Sequence, residues 1–349
     1  MNQSGKMIKV FAIAAICTAM AMSCTSGTDV YLRSLPCDLE ELEAVDSINI
    51  DQFGLFQARK VVKINDDWLL LSTTKGNNHL LFLNTKTLEY FYAIKRGRGP
   101  GEVVAGSSLQ KFGDDATFYD LNNATCIKIL VDATIQERKA VLDTIGIFRG
   151  ATKPVYMSIC GKDKFISGNL SDDSVWYSCY DDNGNVLSSI GALNVKNFPK
   201  NGDRLVSRML SSVYASNPEG TKVCVGNVFC PSLSFSQVQS GIMTEYKRYE
   251  NQPEGMKANR ISTETVGAFQ GMDADKDRVC VIYSGHKLRN DILPSDECRH
   301  LIIYDWNGIP LRHYYLNRNI NSVHVSGNCI YGTSTYPESC VYRFELPEK

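Results

Sequence analysis

From about Ser47 onward the chain alternates short apolar runs with clusters of Gly, Asn and Asp, the signature of strands separated by turns. The first group is ARKVVKI (58–64), the turn Asn65-Asp66-Asp67, WLLLST (68–73), HLLFLN (79–84), the turn Thr85-Lys86-Thr87, and EYFYAIK (89–95). Four strands joined this way make a meander. Five similar groups follow, built around ATFYDL, VWYSCYDDNG, KVCVGNVF, RVCVIYSG and SCVYRFEL. The last group supplies only three strands, and the early segment SINIDQF (47–53) is positioned to provide its fourth. The pattern therefore predicts an all-β fold, a six-bladed β-propeller of four-stranded antiparallel blades, with the last blade closed by an N-terminal strand. Such closure removes the free sheet edges that invite aggregation. A pair of β-sandwich domains is the alternative, and it requires fewer meanders and longer crossovers.

An internal repeat supports the blade count. Tyr180-Asp181-Asp182-Asn183-Gly184-Asn185-Val186-Leu187 and Tyr304-Asp305-Trp306-Asn307-Gly308-Ile309-Pro310-Leu311 share the pattern YDxNGxxL. Asn-Gly is a strong hairpin signal. The repeat predicts the same turn between the outer two strands of two different blades.

The N-terminus has a different character. Lys6 and Lys9 precede the uncharged run Val10 to Met22, which is too short for a hydrocarbon core that takes about 20 helical residues. It fits the apolar region of an export signal. The run ends Ala21-Met22-Ser23-Cys24, which resembles a bacterial lipobox, although Ala21 stands where that pattern prefers Leu. The expected organisation is a lipoprotein signal peptide over 1–23, a lipid on Cys24, a polar tether over 24–45 with a helical turn at Asp38 to Ala44, and a propeller over 46–349. An ordinary cleaved signal with a coincidental Cys is the alternative. The implied address is the cell envelope, as an outer-membrane lipoprotein held to the membrane through its lipid alone.

Composition narrows the function classes. Lys plus Arg number 37 and Asp plus Glu 38, so no basic excess exists to drive nucleic-acid binding. Twelve cysteines are present. Cys17 lies in the signal, and several of the others sit inside apolar strand runs, where a thiol packs as a small hydrophobe. Mostly buried thiols are expected, with one or two bridges at most. The five histidines show no metal-ligand spacing, so neither a metal nor a cofactor is expected. Asp273-Ala274-Asp275-Lys276-Asp277 starts like a calcium loop but continues with Arg278 where glycine is needed, and reads as an acidic turn.

Lys95-Arg96-Gly97-Arg98-Gly99-Pro100-Gly101-Glu102-Val103 resembles the GxGPGE element of TolB-like six-bladed β-propeller lipoproteins of Bacteroidales. Val281-Ile282-Tyr283-Ser284-Gly285-His286 is similar to their fifth-blade strand, and Ile303 to Pro310 with Tyr342 to Leu346 is similar to their last two blades. The resemblance spans about residues 45–346. It implies fold and envelope location without implying an activity.

In a propeller the turns from strand one to two and three to four share one face. Here that set is short, whereas the opposite set includes the long links 96–107, 191–205, 249–265 and 284–298. Long loops on a rigid scaffold are where function concentrates. Arg96, Arg98 and Glu102, flanked by glycines, and His286 with Arg289 are the candidate ligand-binding residues. The alternative for each is a solvated charge on a structural turn. Asp-Ser/Thr-apolar triplets make Ser47, Thr144 and Ser174 candidate O-glycosylation sites. No catalytic constellation is recognisable. The preferred reading is a binding module for an envelope protein, peptide or glycan. The alternative is a glycan- or lactone-directed hydrolase or lyase at the channel mouth.

Overall fold

Strand-forming runs whose residues are buried on both faces need a cover on each side, and a ring of radially packed sheets supplies it. In the computed structural model, which describes residues 30–348 except 56, 150–153, 155, 169–173, 195–210, 254–261, 289–297 and 336–337, six sheets are arranged this way. Blade one is β3 (Ala58–Lys63), β4 (Trp68–Thr73), β5 (Asn78–Asn84) and β6 (Tyr90–Lys95). Blade two is β7 (Gly106–Phe112), β8 (Asp115–Asp120), β9 (Thr125–Ile129) and β10 (Leu142–Ile147). Blade three is β11 (Ser158–Ile159), β12 (Lys164–Gly168), β13 (Val175–Asp181) and β14 (Val186–Gly191). Blade four is β15 (Ser212–Ser216), β16 (Lys222–Asn227), β17 (Leu233–Gln239) and β18 (Ile242–Tyr249). Blade five is β19 (Phe269–Ala274), β20 (Arg278–Tyr283), β21 (Cys298–Asp305) and β22 (Pro310–Ile320). Blade six is β23 (His324–Ser326), β24 (Cys329–Ser334), β25 (Cys340–Glu345) and, closing the ring, β2 (Ala44–Asn49). The inner strands neighbour one another in the order β3, β7, β11, β15, β19, β23 and back to β3.

The core lies between blades. Every residue of β4 is buried. Leu70 packs with Phe82 against Leu109 and Phe118 of blade two, while Leu69 and Leu71 pack against Tyr331 and Val341 of blade six. This is the period-two alternation of a strand with two covered faces. The repeated YDxNGxxL turns are built alike. Asp181 Oδ1 accepts from the Asn183 and Asn185 amides at 3.0 and 2.8 Å, and Asp305 Oδ1 accepts from Asn307 and Ile309 at 2.9 and 2.7 Å. Only the glycines, Gly184 and Gly308, take positive φ. The asparagines do not adopt the left-handed conformation usual in a two-residue Asn-Gly hairpin, because the aspartate cap holds a tight turn without it.

Closure is as expected, but its details differ. β2 pairs antiparallel with β25, from Ala44 opposite Phe344 to Asn49 opposite Cys340. It starts earlier than expected, and Asp51–Phe53 is a 3-10 turn outside the strand. The segment expected to be tether and helical turn is partly sheet: β1 (Leu39–Leu42) adds to blade five, parallel to β22. Helix-forming LEEL becomes a strand because the open edge of β22 offers its backbone groups partners. A helix, Val131–Glu137, fills the link between β9 and β10. Residues 1–35 form a separate unit, of which the short helix Val30–Ser34 is described. Cys24 lies outside the described residues.

The described cysteines are all free thiols, and Cys126, Cys160, Cys179, Cys224, Cys230, Cys280, Cys298 and Cys340 are buried. No bridge is seen among them. Burial pushes the Cys126 and Cys230 thiols up to about 12, so they stay protonated and behave as apolar packing.

Candidate functional site

The link between β6 and β7 lies on the long-loop face, and its own hydrogen bonds shape it. Gly97 N donates to Val103 O at 3.1 Å, Val103 N to Lys95 O at 3.0 Å, and Glu102 N to Gly99 O at 3.0 Å. Gly101 has φ +75°, which a side chain would strain. The Glu102 carboxylate folds back into this loop, and its Oε2 accepts from Gly99 N at 2.9 Å. A Cβ on Gly97 would stand 2.0 Å from that oxygen. The glycines therefore make room for a carboxylate.

Beside the loop is a cavity of about 380 Å³, lined by Arg98, Glu102, Asn122 and Asn123 together with Gly97 and Gly99. Asn122 and Asn123 come from the short link between β8 and β9, on the same face. Buried Asp120 fixes that link: its Oδ1 accepts from Asn122 N at 2.9 Å and its Oδ2 from Asn123 Nδ2 at 2.7 Å. Both asparagines are exposed. The cavity offers a guanidinium, a carboxylate and two carboxamides, a mixture that suits a polar, hydrogen-bonding ligand.

The structure divides the sequence candidates. Arg98 and Glu102 line the cavity. Arg96 is instead fastened to backbone, with Nε donating to Gly76 O at 3.0 Å and Nη1 to Val104 O at 3.3 Å, while its buried Nη2 has no partner. Its side chain is thereby largely committed to the loop, and it does not line the cavity. His286 is exposed on the link after β20 and is not in the cavity wall. Arg289 lies outside the described residues. Ser47 and Thr144 are exposed on the outer strands β2 and β10, and Ser174 is exposed just before β13.

Sequence reading missed two sites. Behind the loop, His79 is buried and its Nε2 donates to Val103 O at 2.8 Å, leaving Nδ1 buried and unpartnered. Desolvation holds its pKa below the ordinary value. In the channel, charged side chains from inner strands converge. Lys60 on β3 reaches across the ring and donates to Met272 O at 3.2 Å and Val323 O at 2.7 Å. Asp273 Oδ2 accepts from His324 Nδ1 at 2.6 Å and from Val325 N at 2.9 Å. Burial alone would raise the Asp273 carboxyl, but the charge and hydrogen bond of His324, the Lys60 ammonium and the Val325 amide outweigh it and hold it below the usual carboxylate value. Burial lowers Lys60 from its ordinary value, and Asp273 offsets this in part. His324 Nε2 is buried without a partner. Asp273 therefore belongs to β19 and not to the acidic turn, where Asp275 alone caps the Asp277 and Arg278 amides. No group of three or more His, Cys, Asp or Glu side chains suited to a metal occurs among the described residues.

No curated protein matches the chain in sequence. Among solved structures, a luciferin-regenerating enzyme is similar with TM-score 0.51 and 10% identity, over 86% of this chain and 95% of that one. A gluconolactonase from Xanthomonas campestris also gives 0.51 at 10% identity, over 90% and 97%. A candidate exported protein of Bacteroides fragilis gives 0.49 at 12% identity, over 92% and 98%. At such identities the first two likenesses speak to the fold alone. The model of one family, described as TolB-like 6-blade propeller-like, matches residues 55–328, and the chain belongs to that family.

Proposed function

We propose that this propeller is a lipid-anchored cell-envelope module that binds an envelope protein, peptide or glycan through its long-loop face. The observation that carries the reading is the cavity where Arg98, Glu102, Asn122 and Asn123 converge from two links of that face. Hydrogen-bonding groups on links braced by their own hydrogen bonds give specificity with little ordering cost on binding. The export run, the lipobox-like end at Cys24 and the family's envelope association support the location. Among the described residues no helix is long and apolar enough to cross a membrane.

The test is a pull-down from cross-linked envelopes with the intact protein and with Arg98→Ala and Asn123→Ala variants. A specific partner recovered by the intact protein and lost by the variants is the expected result. Equal recovery by all three proteins would refute this face as the binding surface. Metabolic labelling with a palmitate analogue should mark the intact chain and not Cys24→Ser.

One observation favours a second reading, a glycan- or lactone-directed hydrolase or lyase. A carboxylate that orients an imidazole through Nδ1 is half of a general-base arrangement; Asp273 and His324 form that pair, and the buried Nε2 of His324 would have to be uncovered to meet a substrate. Turnover of a lactone or glycan panel that is abolished by His324→Ala would establish it. Stoichiometric calcium or zinc in the purified protein would also favour it.

A further inference from the structure

We infer that the Gly97–Glu102 loop is a carboxylate receptor held closed by its own glutamate, and that the ligand it takes is an acidic side chain of a protein segment. This rests on the reading of the long-loop face as the binding surface.

Three features point the same way. First, the loop already holds a carboxylate. Glu102 Oε2 sits on Gly99 N at 2.9 Å and occupies the space that a Cβ of Gly97 or Gly99 would enter, at 2.0 and 3.0 Å. Backbone amides exposed between glycines form an anion-binding concavity. Second, the loop segment itself is cationic, while the Asp120 carboxylate behind the opposite wall is spent on Asn122 and Asn123. Lys95, Arg96 and Arg98 stand against the single carboxylate of Glu102 in residues 95–103. Third, a donor is left over. Arg96 Nη1 bonds Val104 O, and Val104 is in the cavity wall. The guanidinium therefore stands directly behind the wall, with Nη2 buried and lacking an acceptor. Buried donors without acceptors are rare and call for an explanation.

An incoming carboxylate that displaced Glu102 would inherit the Gly99 amide and meet the exposed Arg98 fork, which matches a carboxylate with two parallel bonds. The lining also says which carboxylate. The present occupant is a glutamate side chain, and the cavity wall contains no aromatic ring on which a sugar face would stack. Both facts favour an acidic peptide over a uronic acid. Glu102 then acts as an internal competitor, and removing it should improve binding, the opposite of what a purely structural residue would do.

The experiment is a calorimetric or NMR titration of the full mature chain with a blocked Gly-Glu-Gly peptide. Its Gln counterpart, glucuronate and inorganic phosphate serve as the comparison probes. Glu102→Ala should bind the Glu peptide about tenfold tighter than the intact protein, the scale expected when a tethered competitor is removed. Adding Arg98→Ala should abolish the gain. Adding Gly97→Ala should abolish it too, because the new methyl takes the carboxylate's place. If Glu102→Ala does not fold, Glu102→Gln keeps an acceptor for Gly99 N, removes the charge and should still tighten binding roughly threefold. Unchanged or weaker binding by both Glu102 variants overturns the inference, as does equal binding of the Gln peptide. Preference for glucuronate or phosphate over the peptide overturns the ligand assignment. Failure here with an Arg98-dependent partner still recovered from envelopes would sink this inference alone. Loss of both would sink the binding reading as well.

Discussion

Asp273→Asn isolates the channel cluster in one substitution. The change is nearly isosteric, so packing is preserved and the charge is what is lost. The intact carboxylate compensates the Lys60 ammonium and accepts from His324 Nδ1 and Val325 N. Breaking a buried ion pair by removing one partner costs about 3–5 kcal/mol. Asp273 keeps 20% of its side-chain surface accessible, and the new carboxamide oxygen still accepts one bond. The expected loss is therefore about 2–3 kcal/mol. For a domain of this size that is a fall in Tm of about 4–6 °C. The pH dependence gives the sharper test. The folded carboxyl is held below its ordinary value of 3.8, so the unfolded chain takes up its proton first as the solution is acidified. The carboxylate's contribution is complete above that ordinary value and is lost as pH falls through the depressed folded value. Scanning calorimetry at pH 7 should show the full difference between the two proteins, and the difference should shrink steadily as the pH is lowered below 3.8. Equal Tm values at pH 7, or a difference unchanged in acid, would refute the ion-pair account.

Three further predictions concern the scaffold. A Cβ on Gly106 would lie 2.0 Å from Phe118 Cζ, inside the core between blades one and two, so Gly106→Ala should cost about 1–3 kcal/mol in urea unfolding; wild-type stability would contradict this packing. Ile48→Asp places a charge on the closing strand against the core between blades six and one, and amide exchange of Cys340–Glu345 should accelerate selectively, whereas uniform exchange would argue against local opening. His300 Nδ1 and His313 Nε2 lie 3.0 Å apart, and burial brings each imidazole down to about 4 from 6.5. Both should give neutral nitrogen signals in NMR at pH 6, and the stability this pair contributes should fall as pH drops from 6.5 towards 4; a titration near 6.5 in the folded protein would exclude it.

The ring was legible because its signals are local. Runs such as WLLLST and the turns at Asp181 and Asp305 declare themselves within a few residues. What sequence reading missed depends on neighbours far away. The acidic LEEL pairs only because β22 presents an open edge. The same holds for the sites. Arg98 and Glu102 stood out through their glycines, but nothing in the sequence marks Asn122 and Asn123 as the opposite wall. Arg96 looked equivalent to Arg98 and differs because Gly76 and Val104 lie within its reach. Lys60, Asp273 and His324 share no motif, and they meet only because inner strands of three blades face one axis.

The pairing of β2 with β25 sets the order in which the molecule can be completed. Blade six takes three strands from the end of the chain and one from near its start, so an early segment must wait for the last to be delivered. Joining segments about 300 residues apart carries an entropic cost of about 5 kcal/mol, and such distant contacts form late. Until then both rims of the partial ring carry unsatisfied backbone groups. A chain interrupted during synthesis would keep those rims, and a protease could tell it from a finished one by them.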